Sequence, residues 1–225
     1  MKTALGIIIS FLFLSCSNDS KSQEADIHVN GRSQQVLLVE VSQNQISKAN
    51  LYLMEKIDGK WRKVDTILAI IGRNGLAPEF TDDGGSGKKE GDGKSPPGNF
   101  PLLFAFGYAK DYPTKLPYRQ MQEADICIDN IGHPNYNQHM TVASDPDYSH
   151  EKMRRQDGLY ELGIWVGYNT EPTISGDGSC IFLHIWKDSS TPTSGCTAMS
   201  KEDMERVLRW IDPEKNPVLI QKIKE

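Results

Sequence analysis

The sequence predicts a mainly β domain of the α+β class, with many strands, few helices and long polar loops. Short apolar runs recur along the chain at strand length, and the pair Asp58-Gly59 stands between two of them as a hairpin turn. Residues 200–211 are the clearest stretch with apolar residues at helical spacing. The chain has 225 residues, 38% of them hydrophobic and 24% charged, so it can bury a core and is too polar for a polytopic membrane protein.

The strands are predicted from apolar runs that turn residues separate. They cover residues 35–41, 50–57, 60–68, 100–106, 124–129, 159–168, 179–186 and 218–220. The clearest is 179–186, where alternation puts Ile181, Leu183 and Ile185 on one face, and Phe182 and His184 on the other. Glycine, lysine, aspartate and proline dominate residues 82–98, which are therefore predicted to form a long loop.

The predicted helix begins shortly after the last cysteine. Ser200, with Asp203 three residues later, is a typical N-terminal capping pair. The residues expected to face the core follow at helical spacing: Met204, Val207, Leu208 and Ile211. Pro213 is expected to end the helix.

The first residues predict an export signal. Lys2 precedes an apolar run over residues 4–14, which is too short to span a bilayer comfortably, and the run ends at Ser15-Cys16. A small residue before a cysteine resembles the lipobox of bacterial lipoproteins, so residues 1–15 are predicted to be the signal peptide and Cys16 the lipidated residue. The alternative is an ordinary cleaved signal in which Cys16 is incidental.

Export determines the expected organisation and location of the mature chain. The polar residues 16–34 are predicted to be a flexible tether, and residues 35–225 the folded domain. The predicted protein is a membrane-anchored lipoprotein of the periplasm or cell envelope. With 25 lysines and arginines against 30 aspartates and glutamates, the net charge is −5, and no basic stripe favours nucleic-acid binding.

Three cysteines remain beside Cys16: Cys127, Cys180 and Cys196. An odd number in an oxidising compartment leaves at least one thiol without an intramolecular partner. A Cys127–Cys180 disulfide and two separately buried thiols both fit the sequence. Since no CxxC or HxxxH pair is present, the sequence gives little support for a structural zinc site.

His184 and Cys196 form the candidate reactive pair. The strand that carries His184 leads into a polar loop that ends at Cys196, just before the helix. An imidazole beside a cysteine can take the thiol proton and pass it to a leaving group. Gly195 allows close backbone approach, so that N–H groups near Cys196 can face a developing oxyanion. The alternative is a buried sheet histidine and a core cysteine without a chemical role.

The surrounding sequence resembles a known family. Residues 178–184 (GSCIFLH) and 192–200 (PTSGCTAMS) resemble the catalytic motif of the L,D-transpeptidases, bacterial cell-wall enzymes with a YkuD-like domain. Residues 90–100 (EGDGKSPPGNF) resemble the glycine-rich loop of that family. Shorter similar elements lie between these motifs, at 136–137, 150–153 and 167–169. The resemblance covers roughly residues 60–222, and several motifs in one order are more specific than any single motif.

The resemblance implies a mixed sheet or sandwich-like body with a helix after the catalytic cysteine, and a chemistry without metal or organic cofactor. Cys196 would be the nucleophile and His184 the base, with Ser194 and Gly195 in the same motif. A main-chain carbonyl from the 194–195 segment or nearby would orient the histidine.

Substrate contacts are predicted at four residues: His150, Tyr168, Asn169 and Trp186. For Trp186 the alternative is an aromatic residue of the core or of the cleft wall that does not stack on a ligand. Many family members carry an arginine two residues after the cysteine, whereas this chain has Thr197 and Ala198 there.

The implied substrates are peptidoglycan stem peptides. Cys196 would form a thioester with the donor stem, and an acceptor amine would resolve it to a 3→3 cross-link. If water resolves the thioester, the same site is an L,D-carboxypeptidase. A non-catalytic lipoprotein that binds the cell wall is the third possibility.

Overall fold

The computed structural model describes residues 31–79 and 87–224. The predicted signal peptide, Cys16 and most of the predicted tether lie outside these ranges. Among the described residues there are twelve strands and one α-helix. The prediction of a mainly β fold is confirmed.

The elements have the following bounds in chain order. The strands are β1 (Gln35–Val41), β2 (Lys48–Ile57), β3 (Lys60–Ile70), β4 (Gly98–Gly107), β5 (Tyr118–Gln120), β6 (Asp125–Ile128), β7 (His139–Thr141), β8 (His150–Lys152), β9 (Leu162–Val166), β10 (Phe182–Ile185), β11 (Thr197–Met199) and β12 (Val218–Ile223). The helix α1 (Lys201–Trp210) precedes a short 3-10 turn, Pro213–Lys215.

Nine strands form one mixed sheet that closes on itself. Its order is β12-β1-β2-β3-β11-β10-β9-β4-β5, and β12 also pairs with β4. The pairs β1–β12, β10–β11 and β4–β5 are parallel, and the other neighbours are antiparallel. The β2–β3 hairpin turns at Asp58 and Gly59, both at positive φ, as the sequence predicts.

The principal core lies between the closed sheet and α1. Aliphatic side chains of β1, β2, β3, β9 and β10 meet the buried residues of the helix there. Ser200 caps α1, since its hydroxyl accepts a hydrogen bond from the N–H of Asp203. Burying each large aliphatic side chain contributes about 1.5–3 kcal/mol, so this cluster dominates the stability of the body.

Strand β10 separates this core from a second, more aromatic cluster. Leu183 and Ile185 face the principal core, as the alternation predicts. Phe182 packs in the second cluster with Trp165 and Cys196. Since His184 shares the face of Phe182, the predicted base points away from the aliphatic core.

A second sheet, of order β7-β6-β8, belongs to residues 121–160, which we call the cap. Cys127 of β6 forms a disulfide with Cys180, which precedes β10. The disulfide therefore joins the cap to the body. This settles the alternative that the sequence left open, and leaves Cys196 as the free cysteine among the described residues.

The structure differs from the sequence prediction in its short strands. β5, β7, β8 and β11 were not predicted, because three residues are too few to show a period. The predicted strand 159–168 is shorter, since a turn bond from Glu161 N–H to Gly158 O precedes β9. The packed body also extends into the predicted tether: Ser33 is buried, and the Gln34 N–H donates to Lys215 O.

Candidate active site

A cavity of about 450 Å³ lies where the cap, the body and the glycine-rich loop meet. Its walls include the cap residues Asp129, Glu151, Arg155, Leu159 and Tyr160. Cys196 and His184 both line it, with Ser194 and Gly195 beside them. The structure thus brings the four predicted catalytic residues to one cavity.

Cys196 is held by two backbone groups, one from Phe182 at the start of β10 and one from Cys180 just before it. The N–H of Phe182 donates to Sγ at 3.3 Å, and Sγ lies 3.4 Å from Cys180 O, to which the thiol donates. The side chain is almost fully buried, and burial raises the pKa of this thiol to about 12 although the Phe182 N–H opposes the shift. In the unliganded protein at neutral pH, Cys196 is therefore a thiol.

His184 is oriented chiefly by the main-chain carbonyl of Ile185, and a hydrogen bond to the backbone of Leu159 also acts on its ring. Its Nδ1 lies 2.7 Å from Ile185 O, and because a carbonyl only accepts, Nδ1 carries the proton and Nε2 is left as an acceptor. The orienting carbonyl is thus that of the next residue in β10, and the expectation that it comes from the 194–195 segment was wrong. Burial lowers the pKa of His184 to about 4, so the ring is neutral at pH 7.

The two groups are neighbours in the cavity but are not hydrogen-bonded to each other. Within residues 31–79 and 87–224, the Sγ of Cys196 has its hydrogen bonds with Phe182 and Cys180, and the ring of His184 has its bond with Ile185. A raised thiol pKa and a lowered imidazole pKa both oppose a thiolate–imidazolium pair. The resting site therefore contains a neutral thiol and a neutral imidazole.

Ser95, in the glycine-rich loop, supports the backbone segment that carries Cys196. Its buried hydroxyl accepts from the N–H of Gly72 at 3.0 Å and donates to Gly195 O at 2.7 Å. A Cβ at position 195 would lie 3.0 Å from Lys94 O, so glycine permits this close contact between the two loops. The N–H of Gly195 was expected to face the cavity. In this state it donates to Thr193 Oγ1 instead.

The rest of the glycine-rich loop is built around Asp92. Its carboxylate accepts from the Nζ of Lys88 at 2.7 Å and from the N–H groups of Lys89 and Lys94, both at 2.8 Å. The loop that the sequence predicts over residues 82–98 is thus a compact turn around this carboxylate in its described part. The aliphatic stem of Lys88 runs beneath Gly195 and contributes to the cavity wall.

Tyr160 and Glu151 form the cap side of the cavity next to the reactive pair. The Tyr160 ring stacks edge-on against His184 with centroids 5.1 Å apart. Its hydroxyl donates to Glu151 Oε1 at 3.1 Å, and Arg155 Nη1 donates to the same oxygen at 2.7 Å. Burial, with the nearby Cys196 and Glu151, raises the pKa of Tyr160, which therefore stays protonated as a donor.

The predicted substrate-binding residues divide into two groups. Trp186 lines the cavity, whereas His150, Tyr168 and Asn169 are not among the residues that line it. The ring of His150 instead contacts Asp145 Oδ1 and Tyr148 O within the cap. Contact of His150, Tyr168 and Asn169 with the substrate therefore stays a prediction that this geometry does not support.

Tyr168 and Asn169 instead hold the loop that leads to the cavity floor. The Tyr168 hydroxyl donates to Asp177 O, and Asn169 Nδ2 donates to Gly178 O. Asn137 of the cap bonds to this segment too, because its Nδ2 donates to Asn169 O and its Oδ1 accepts from the Cys180 N–H.

Several cavity residues were missed by sequence reasoning. They are Arg73, Lys88, Asp129, Glu90, Arg155 and Tyr160. They come from segments far apart in the sequence, so only the closed fold shows that they are neighbours. Arg73, whose Nη1 donates to Ser194 Oγ at 3.1 Å, brings a cation to the cavity although Ala198 replaces the arginine of many relatives.

Neither a metal-binding cluster nor a membrane-spanning helix is found in residues 31–79 and 87–224. No group of three or more histidine, cysteine, aspartate or glutamate side chains there is placed to hold a metal ion. No helix in the same part of the chain has the length and apolar character needed to cross a bilayer.

Comparison with known proteins gives one family match. The family model described as the L,D-transpeptidase catalytic domain, YkuD, matches residues 27–220. No curated protein matches the chain. Among solved structures, that of Bd1075 from Bdellovibrio bacteriovorus is similar, with 15% identity and a TM-score of 0.43. The similarity covers 84% of this chain and 47% of that one, so the match spans about half of the Bd1075 chain.

Proposed function

Because the chain belongs to the L,D-transpeptidase catalytic-domain family, whose members use a cysteine and act on peptidoglycan, we propose that it transfers peptidoglycan stem peptides through a Cys196 thioester. The observation that carries this proposal is the shared cavity of Cys196 and His184. A free thiol and an imidazole with an unprotonated Nε2 line the same space there.

The first half of the reaction follows from the neutral pair. The thiol leaves its contact with Cys180 O and gives its proton to His184 Nε2, while Sγ attacks the carbonyl of the third residue of a donor tetrapeptide. The C–N bond to the terminal D-alanine breaks, and the imidazolium returns the proton to the departing amine. The product is a thioester between Cys196 and the donor stem.

The second half reverses the proton path. An acceptor amine gives a proton to His184 as it attacks the thioester, and the thiol of Cys196 recovers that proton when the C–S bond breaks. The new amide is a 3→3 cross-link. If water takes the place of the amine, the product is a shortened stem peptide, which is the L,D-carboxypeptidase outcome.

The test is product analysis by mass spectrometry after the chain is incubated with tetrapeptide muropeptides. We expect cross-linked dimers and a thioester adduct on Cys196, both absent in Cys196→Ala. Tripeptides without dimers would establish the carboxypeptidase. Peptide binding without an adduct or any product would contradict catalysis and favour a wall-binding protein.

We also propose that Cys16 carries a lipid and that the domain works in the periplasm or cell envelope. The Cys127–Cys180 disulfide supports an oxidising compartment, since such bonds are rare in reducing ones. Mass spectrometry of the N-terminal peptide from the expressed chain tests this. An acylated Cys16 is expected, and an unmodified chain that keeps residues 1–15 would refute it.

A further inference from the structure

One carboxylate on the cavity wall has an oxygen without a partner. Asp129 directly follows β6 and lines the cavity, and its Oδ1 is buried. It is the only buried side-chain nitrogen or oxygen in residues 31–79 and 87–224 that lacks a hydrogen bond. An unsatisfied buried acceptor is costly and rare, so a donor supplied by a bound molecule would remove a real penalty.

The other acidic residues of the wall already have donors. Glu151 accepts from Arg155 and from the Tyr160 hydroxyl. Glu90 accepts from Tyr136 and from Ser179 Oγ. Among the described wall residues, Asp129 is therefore the carboxylate best placed to receive a cationic ligand.

The position of Asp129 is rigidly tied to the nucleophile. Two residues before it, Cys127 is joined by the disulfide to Cys180. The carbonyl of Cys180 accepts from the Sγ of Cys196. A group held by Asp129 is thus located relative to Cys196 by one covalent cross-link and one hydrogen bond.

On the basis of the proposed function, we propose that Asp129 binds a primary ammonium group of the peptide substrate. The donor stem peptide of that reaction carries a diamino acid as its third residue, whose side-chain amine is an ammonium group at neutral pH. An ammonium group has three donors and a positive charge, and both match a carboxylate with a free buried oxygen. Asp129 would then determine which third residue the cavity accepts.

The test compares Asp129→Asn with Asp147→Asn in the full chain. Both variants remove one negative charge from the cap, but Asp147 is exposed and does not line the cavity. Each is assayed with donor tetrapeptides whose side-chain amine is free or acetylated. Thioester formation is measured without acceptor, so that the assay reports on the donor side-chain amine alone.

We expect acetylation of the donor side-chain amine to lower kcat/KM of the wild type and of Asp147→Asn about tenfold to a hundredfold, the range for a charge-assisted hydrogen bond. Asp129→Asn should lose a similar factor on the free amine and become insensitive to acetylation. Equal sensitivity to acetylation in Asp129→Asn and wild type would overturn the proposal.

Binding measurements keep this inference separate from the proposed reaction. In Cys196→Ala, calorimetry with the free-amine and acetylated tetrapeptides should show the same discrimination, which Asp129→Asn should abolish. An active wild type with no discrimination in either measurement would refute the role of Asp129 alone. Discrimination in binding without any thioester in the wild type would refute the reaction and retain the ammonium site.

Discussion

The reactivity of Cys196 in the free protein is expected to be low and steeply dependent on pH. Burial raises the pKa of its thiol from 9.0 to about 12. At pH 7 the thiolate fraction is then about one in 10⁵, a thousandfold below that of a thiol at the reference value. Since one pKa unit corresponds to about 1.4 kcal/mol, deprotonating the thiol to an isolated thiolate costs about 4 kcal/mol more here than in water.

Alkylation with iodoacetamide between pH 6 and 9, followed by intact mass, measures this directly. We expect the rate to rise about tenfold per pH unit without a plateau, because the thiolate is the reacting form. His184→Gln should give the same slope, since the neutral His184 does not form an ion pair with the resting thiol. A plateau below pH 8 in the wild type that His184→Gln abolishes would refute the neutral-pair reasoning, because it would reveal a resting thiolate–imidazolium pair.

Three further outcomes are expected from the same structure. Ser95→Ala leaves its two buried backbone partners unsatisfied, so the free energy of unfolding from urea titration should fall by about 1–3 kcal/mol and thioester formation should be slower. A variant with the same free energy of unfolding as the wild type would contradict the bridging role. Replacing both Cys127 and Cys180 by alanine should lower that free energy by about 4 kcal/mol for a loop of 53 residues, whereas an equal midpoint for oxidised and reduced wild type would contradict it. The folded pKa of His184 is about 4 against an unfolded value of about 6.5, so the unfolded state binds the proton first and stability should fall by about 3 kcal/mol as the pH drops from 6.5 to 4. His184→Gln should flatten that part of the stability profile, and an identical profile would count against the buried neutral ring.

The elements that the sequence predicted well are those with a repeated local signal. β1 matches its predicted range, and α1 has its predicted cap at Ser200. Both predictions depend on local signals, an apolar run and a capping pair, that lie within a few neighbouring residues. The Asp58-Gly59 hairpin forms for the same reason. The resemblance around Cys196 grouped it with His184, Ser194 and Gly195, and all four line one cavity.

What the sequence did not reveal depends on contacts between distant segments. The bond from Ser95 to Gly195 joins residues 100 positions apart, and no local pattern encodes it. The choice of Glu151 over His150 for the cavity wall depends on which way a three-residue strand faces. The partner of Cys127 was undetermined, because spacing alone cannot distinguish a disulfide from two buried thiols.

The closed sheet also constrains the order in which this protein can fold. Strand β12 contacts both β1 and β4, and the β1–β12 ladder places Val36 opposite Val218. Such pairing over most of the chain length carries a high loop-closure entropy and favours slow folding. β1 can pair with β2 early, but its other edge and the N-terminal part of β4 remain without their partner until β12 has been synthesised.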